Sequence, residues 1–255
     1  MSPRERISAA LRAAPSGEPA LVAYLTAGFP RRQTFATDLR ALAPACDLIE
    51  VGVPFTDPMA DGVTIQRASQ SALAQGVSLR WILEELAALG ELRVPVVLMS
   101  YLNPLLAYGL ERLAAAAAHA GVSGFIVPDL PLDESHELHA ALADAQLALV
   151  QMVTPVSEPA RLQALCARSQ GFVYAVTMTG TTGRSVAVPE AVLGYLDRVR
   201  ASSSLPVCAG FGIRSRAQVQ RLRGHVDGIV VGSALVEVLE RGEDPGAWLR
   251  ALRAG

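Results

Sequence analysis

Residues 47–66 read DLIEVGVPFTDPMADGVTIQ, a short apolar run, a loop shaped by prolines, and the opening of a helix. The run Asp47 to Val51 suits a strand buried on both faces, yet it carries one acid, Glu50. A carboxylate at the end of such a strand is costly unless it has a partner or a task. After Gly52, Pro54 and Pro58 forbid continued strand or helix and shape a loop that holds Asp57 and Asp61. Val63-Thr64-Ile65-Gln66 then opens a helix. Two of the three acids could face each other across a small molecule, the usual arrangement for general acid–base chemistry. The plainer alternative makes Glu50 the partner of a buried arginine, and Asp57 and Asp61 turn or cap residues.

The same strand–loop–helix unit recurs along the chain. Apolar runs lie at 21–26, 47–51, 95–100, 124–128, 147–152, 171–176, 205–210 and 227–232. Helical patterns lie between and after them: 31–43, 64–73 with 79–89, 109–120, 133–145, 159–169, 189–200, 215–223, 234–240 and 244–253. Pro159 and Pro189 stand where a first helical turn tolerates proline. Eight strands, each followed by helix, over 255 residues match an eight-stranded parallel (β/α)8 barrel of the TIM type. The competitor is an open doubly wound sheet, which usually keeps a glycine-rich fingerprint after its first strand. Here that position reads Thr26-Ala27-Gly28-Phe29-Pro30. No linker or change of composition divides the chain, so residues 1–255 read as one domain, with an extra helix at Ser2 to Ala13 covering the barrel bottom.

Composition removes several functions. The formal net charge of −2 gives no reason to expect nucleic acid or an anionic membrane as partner. No apolar stretch is long enough for a membrane span or a signal peptide. The three cysteines, Cys46, Cys166 and Cys208, are far apart and read as reduced core residues of a cytoplasmic protein. All 22 basic residues are arginine. With no lysine there is no Schiff-base aldolase chemistry, no covalent pyridoxal phosphate and no P-loop nucleotide hydrolysis. His136 and His139 could pair on a metal, but a solvated helix face accounts for them better.

In a barrel of this kind the active face lies at the C-terminal ends of the strands. Glu50 then points into the mouth, with Asp57 and Asp61 above it. Tyr24, Thr26, Met99, Tyr101, Asn103, Asp129, Tyr174 and Thr177 fall at strand ends and together suggest an apolar pocket with a few polar groups. Glycines at 180 and 183, at 210 and 212, and at 232 follow the last three strands, where such barrels bind phosphate through backbone N–H groups. A phosphorylated small molecule is implied, its phosphate near strands seven and eight and its reacting end near Glu50 and Asp61.

These residues resemble the tryptophan synthase alpha chain family. The resemblance runs through LTAGFP (25–30), IEVGVPFTDPMADGVTIQ (49–66), LMSYLNP (98–104), VPDLP (127–131), YAVTMTGTTG (174–183), GFGI (210–213) and VVGSALV (230–236), in family order. It implies reversible cleavage of indole-3-glycerol phosphate to indole and glyceraldehyde 3-phosphate. It also implies a beta-chain partner in an α2β2 heterotetramer, with pyridoxal phosphate held by that partner, and neither metal nor cofactor in this chain. By motif, Glu50 is the acid/base and Asp61 its partner at the indole nitrogen. Tyr24, Tyr101, Tyr174, Thr182 and Phe211 would line the substrate site, with Thr182 meeting Asp61 when a mobile loop closes. Gly183, Gly212, Gly232 and Ser233 would hold phosphate, and Asp57 would face the beta chain. The loop from Gly180 to Pro189 has the composition of a lid. The chain departs from the family pattern at Thr56, Val63 and Thr177, in GTTG at 180–183, and in Thr154-Pro155-Val156. None of these removes a carboxylate, but Val63 replaces a proline that would pre-order the loop.

Three other readings compete. One is a free-standing lyase that releases indole, another a metal-free phosphosugar isomerase on the same scaffold. The third is a ligand-sensing subunit without turnover, against which an intact Glu50/Asp61 pair argues.

Overall fold

The computed structural model describes residues 1–15, 17–177, 188–210 and 212–253. Eight parallel strands close into a barrel in chain order: β1 (Ala20–Thr26), β2 (Leu48–Gly52), β3 (Val96–Met99), β4 (Val122–Ile126), β5 (Ala148–Val153), β6 (Val173–Val176), β7 (Val207–Gly210) and β8 (Gly228–Val231). β8 returns to β1 with Ala20 opposite Gly228 and Ala23 opposite Val231, which excludes the open sheet. Strand alternation divides the apolar residues into two sets. Leu21, Ala23 and Leu25 of β1 and Ile49 and Val51 of β2 face outward and pack under the helices. Ala20, Val22 and Tyr24, with Leu48, Val97, Ile126, Val150, Cys208 and Val230, fill the barrel interior.

Around the barrel lie α1 (Pro3–Arg12), α2 (Phe35–Leu42), α3 (Val63–Ala74), α4 (Leu79–Leu89), α5 (Leu102–Tyr108), α6 (Leu110–His119), α7 (His136–Ala143), α8 (Pro159–Arg168), α9 (Glu190–Ser202), α10 (Arg216–Leu222), α11 (Ser233–Glu240) and α12 (Pro245–Arg253). The expected bottom helix is α1. A reciprocal capping box between Ser2 and Glu5 starts it, and its Ile7 and Leu11 join the interior cluster from below. Ser8 Oγ donates to the Gly171 carbonyl at 2.6 Å, anchoring α1 beneath β6. Two aspartates fasten the barrel floor. Asp47 accepts the Leu21 N–H at 2.7 Å and pairs with Arg253 of α12, and Asp227 accepts the Val207 N–H at 2.8 Å and pairs with Arg200.

Two expected helices open instead as short 3-10 turns, Arg32–Thr34 before α2 and Leu132–Glu134 before α7. One helix, α5, was not expected at all. Pro104 is its third residue, where a backbone N–H has no intrahelical partner to lose. Cys46, Cys166 and Cys208 are free and buried, as expected. No helix among the described residues is long and apolar enough to cross a membrane.

Candidate active site

The strand period that aims Leu48 inward aims Glu50 and Gly52 inward too. Glu50 is fully buried, and both its carboxylate oxygens lack a hydrogen-bond partner among the described residues. Among those residues no arginine pairs with it. Burial is the main cause that pushes its carboxyl up to about 8, and the charge of Asp61 adds to it. Asp61 sits just ahead of α3. Gln66 Nε2 of α3 donates to the Asp61 carbonyl at 2.9 Å, and the Ala60 N–H donates to the Tyr101 hydroxyl at 2.8 Å. Burial raises the Asp61 carboxyl to about 6, while the Tyr101 hydroxyl beside it acts to lower it. At neutral pH Glu50 therefore carries a proton and Asp61 mostly does not.

Both acids line one cavity of about 570 Å³ at the C-terminal mouth. Tyr24 lies directly opposite Glu50 in the β1–β2 register. Its ring occupies space that only glycine leaves open, since a Cβ at Gly52 would come 2.3 Å from the Tyr24 hydroxyl. Tyr174 uses Gly210 in the same way, at 2.5 Å. Burial pushes both phenols well above their ordinary range, so each stays a neutral hydrogen-bond donor. Past β1, at the ends of β7 and β8, stand Gly210, Gly212 and Gly232, with Ser233 as the first residue of α11. Gly212 takes a left-handed φ of 65°, and the unpaired N–H groups of the first turn of α11 begin beside Gly232.

The structure therefore brings Glu50, Asp61, Tyr24, Tyr174, Gly212, Gly232 and Ser233 to one cavity, with Met99 and Asp129 also on its wall. Tyr101 stacks on Phe55 at 5.1 Å and lines a small adjoining cavity with Tyr24, Met99 and Asp61. Three other expectations need correction. Thr177 turns its hydroxyl to the Gly210 carbonyl at 2.7 Å. Thr26 is buried, its hydroxyl 3.3 Å from that of Tyr24, and Asn103 is exposed on α5. Asp129 has a second task, accepting the Leu102 N–H at 2.9 Å where α5 begins. Asp57 is exposed in the loop before α3, close in sequence to the exposed apolar side chains Met59 and Val63. Thr182, Gly183 and Phe211 lie outside the described residues, as does the Gly180 to Pro189 loop up to residue 187. Ile65, Val127, Met152 and Val230 line the cavity without having been singled out from sequence. For Met152 and Val230 the period of two along β5 and β8 was the available signal. Among the described residues no group of three or more His, Cys, Asp or Glu side chains could hold a metal ion.

The family model described as tryptophan synthase alpha chain matches residues 11–252. The chain belongs to the tryptophan synthase alpha chain family. It is 47% identical over 238 residues to the tryptophan synthase alpha chain of Nitratidesulfovibrio vulgaris strain Hildenborough, covering 92% of this chain and 93% of that one. Identity to the alpha chain of Roseiflexus sp. strain RS-1 is 45% over 234 residues, covering 91% and 89%. Among solved structures, tryptophan synthase from M. tuberculosis superposes with a TM-score of 0.87 at 38% identity, covering 99% of this chain and 98% of that one. The alpha subunit from Legionella pneumophila strain Paris gives 0.87 at 29% identity, covering 99% and 97%. As a tryptophan synthase alpha chain, the protein is an indole-3-glycerol-phosphate lyase.

Proposed function

We propose that Glu50 and Asp61 divide the cleavage of indole-3-glycerol phosphate between them according to their protonation. Glu50, protonated in the resting site, delivers its proton to indole C3 and makes an indolenine cation. The ionised Asp61 accepts the indole N–H and stabilises the positive charge that develops there. Glu50, now a carboxylate, takes the proton from the glycerol hydroxyl on the carbon attached to C3. The C–C electron pair returns to the ring as the aldehyde forms, and Glu50 ends protonated, ready for another turnover. Two acids in one cavity, with environments that hold one neutral and leave the other charged, support this division.

The phosphate lies against Gly212, Gly232 and Ser233, with Gly183 contributing. Tyr24, Tyr101, Tyr174 and Phe211 serve the ring and glycerol part, and Thr182 serves as a hydrogen-bond partner of Asp61. A cavity of about 570 Å³ suits an indole with its glycerol phosphate, and is large for the bare triose of an isomerase. The chain acts as one domain over residues 1–255 and works in the cytoplasm. Its partner is the tryptophan synthase beta chain in an α2β2 complex, with Asp57 on the shared face. Pyridoxal phosphate belongs to that partner, which condenses the indole with serine.

The test is indole release by purified Glu50→Gln and Asp61→Asn, with glycerol 3-phosphate binding measured alongside. Each variant should lose about 10²- to 10⁴-fold in turnover and still bind glycerol 3-phosphate. Near-normal turnover in Glu50→Gln would remove the acid–base assignment. Loss of ligand binding with turnover would make Glu50 a structural residue instead.

A further inference from the structure

The phosphate side and the carboxylate side of the mouth are joined outside the cavity by a cluster that the chemistry above does not use. Arg214 follows Gly212 and Ile213 on the loop after β7. Its backbone is held by α10, where Gln218 Oε1 accepts the N–H groups of Arg214 at 2.8 Å and Ser215 at 3.1 Å. From that fixed base its guanidinium forms a two-pronged pair with Glu237 of α11, Nη1 to Oε2 and Nη2 to Oε1, each 2.7 Å. Such a fork fixes direction as well as distance. Glu237 lies one turn along the helix that Gly232 and Ser233 begin, so the pair ties together the two strand ends proposed to hold phosphate.

Glu237 has a third arm. Thr64 Oγ1, on the second residue of α3, donates to Glu237 Oε1 at 3.4 Å. One turn further along, Arg67 of α3 pairs with Glu240 of α11 at 2.5 Å. Helix α3 in turn carries the Asp61 loop, because Gln66 Nε2 donates to the Asp61 carbonyl at 2.9 Å and Gly62 is the N-cap residue of α3. The path from Gly212 to Asp61 is thus continuous through Arg214, Glu237, Thr64 and the start of α3. Glu237 is held below the usual carboxylate range, chiefly by its hydrogen bonds to Arg214, so it stays charged.

We propose that Glu237 is a positioning residue: it couples occupancy of the phosphate side to the placement of Asp61 on the indole side. The coupling rests on the functional reading given above, since it presumes phosphate at Gly212, Gly232 and Ser233. A rigid link of this kind makes the two half-ligands bind cooperatively, and linkage requires the effect to be reciprocal.

The experiment measures indole binding with and without saturating glycerol 3-phosphate, by calorimetry on the purified chain. The wild-type protein should bind indole about 5-fold or more tightly when glycerol 3-phosphate is present. In Glu237→Gln, Arg214→Ala and Thr64→Val that factor should fall toward one, while each ligand alone binds within about twofold of wild type. Thr64→Val is nearly isosteric and leaves the Arg214–Glu237 pair intact, so it reads the link without disturbing the fold. A purely structural role would lower the melting temperature and leave the factor unchanged. An unchanged factor in folded Glu237→Gln and Thr64→Val, or a factor of one in the wild type, overturns the proposal. Failure of the wild type to bind glycerol 3-phosphate at all would instead overturn the phosphate assignment on which it stands.

Discussion

Glu50 meets no hydrogen-bond donor among the described residues of the barrel interior, and that single fact has two consequences for pH. For catalysis, the free enzyme needs Asp61 ionised and Glu50 protonated. A profile of kcat/KM against pH should therefore be bell-shaped, rising through about 6 and falling through about 8. For stability, the folded Glu50 carboxyl lies above its unfolded value of 4.5. Its contribution is then complete below pH 4.5 and is lost as the pH rises through about 8. Glu50→Gln has no such loss, so denaturant melts at pH 5 and pH 9 should show the variant gaining on wild type at pH 9. The sequence shows both acids and their spacing, but not which of them holds the proton. That depends on enclosure by Tyr24, Tyr101 and Tyr174, which arrive from three different strand–loop units. The hold on the Tyr101 hydroxyl was hidden for the same reason, since it comes from Ala60, 41 residues earlier.

At the scale of elements, Val63 opens α3 and is 73% exposed. The preceding residue, Gly62, already has the extended backbone that proline requires before it, with φ −74° and ψ 162°. The first residue of a helix has no intrahelical use for its N–H. Val63→Pro should stabilise the chain by about 0.4–1 kcal/mol, read as a raised denaturation midpoint, by reducing the freedom of the unfolded chain. Elements marked by periodicity and caps were legible to within a few residues, as α1 and α4 show. Helix α5 was hidden because Pro104 reads as a breaker until its place in the first turn is known. The Arg214–Glu237 pair was hidden because neither residue interrupts the pattern of its own segment.

At the scale of the whole molecule, α1 completes the packing of a barrel whose lower end the strands leave open. Ile7 is fully buried there, with Gly171 close against its side chain. Ile7→Ala should cost about 2–5 kcal/mol in chemical denaturation. Turnover measured well below the melting range should stay near wild type, because the helix lies at the end away from the mouth. Eight apolar runs and their intervening helices made the barrel readable without a structure. Its closure was readable only as a consequence of the strand count, since no local signal pairs Ala20 with Gly228.

That closing pair also fixes when the protein can begin to work. β1 stands between β2, which carries Glu50, and β8, whose end opens on Gly232 and Ser233. The two halves of the mouth are thus neighbours across the seam between the first strand made and the last. While the chain is being synthesised, β1 waits as an unpaired edge until Gly228 to Val231 emerge, and unpaired edges invite pairing with other chains. No shorter nascent product carries a complete site, so the onset of indole formation during synthesis marks the moment the ring of strands is sealed.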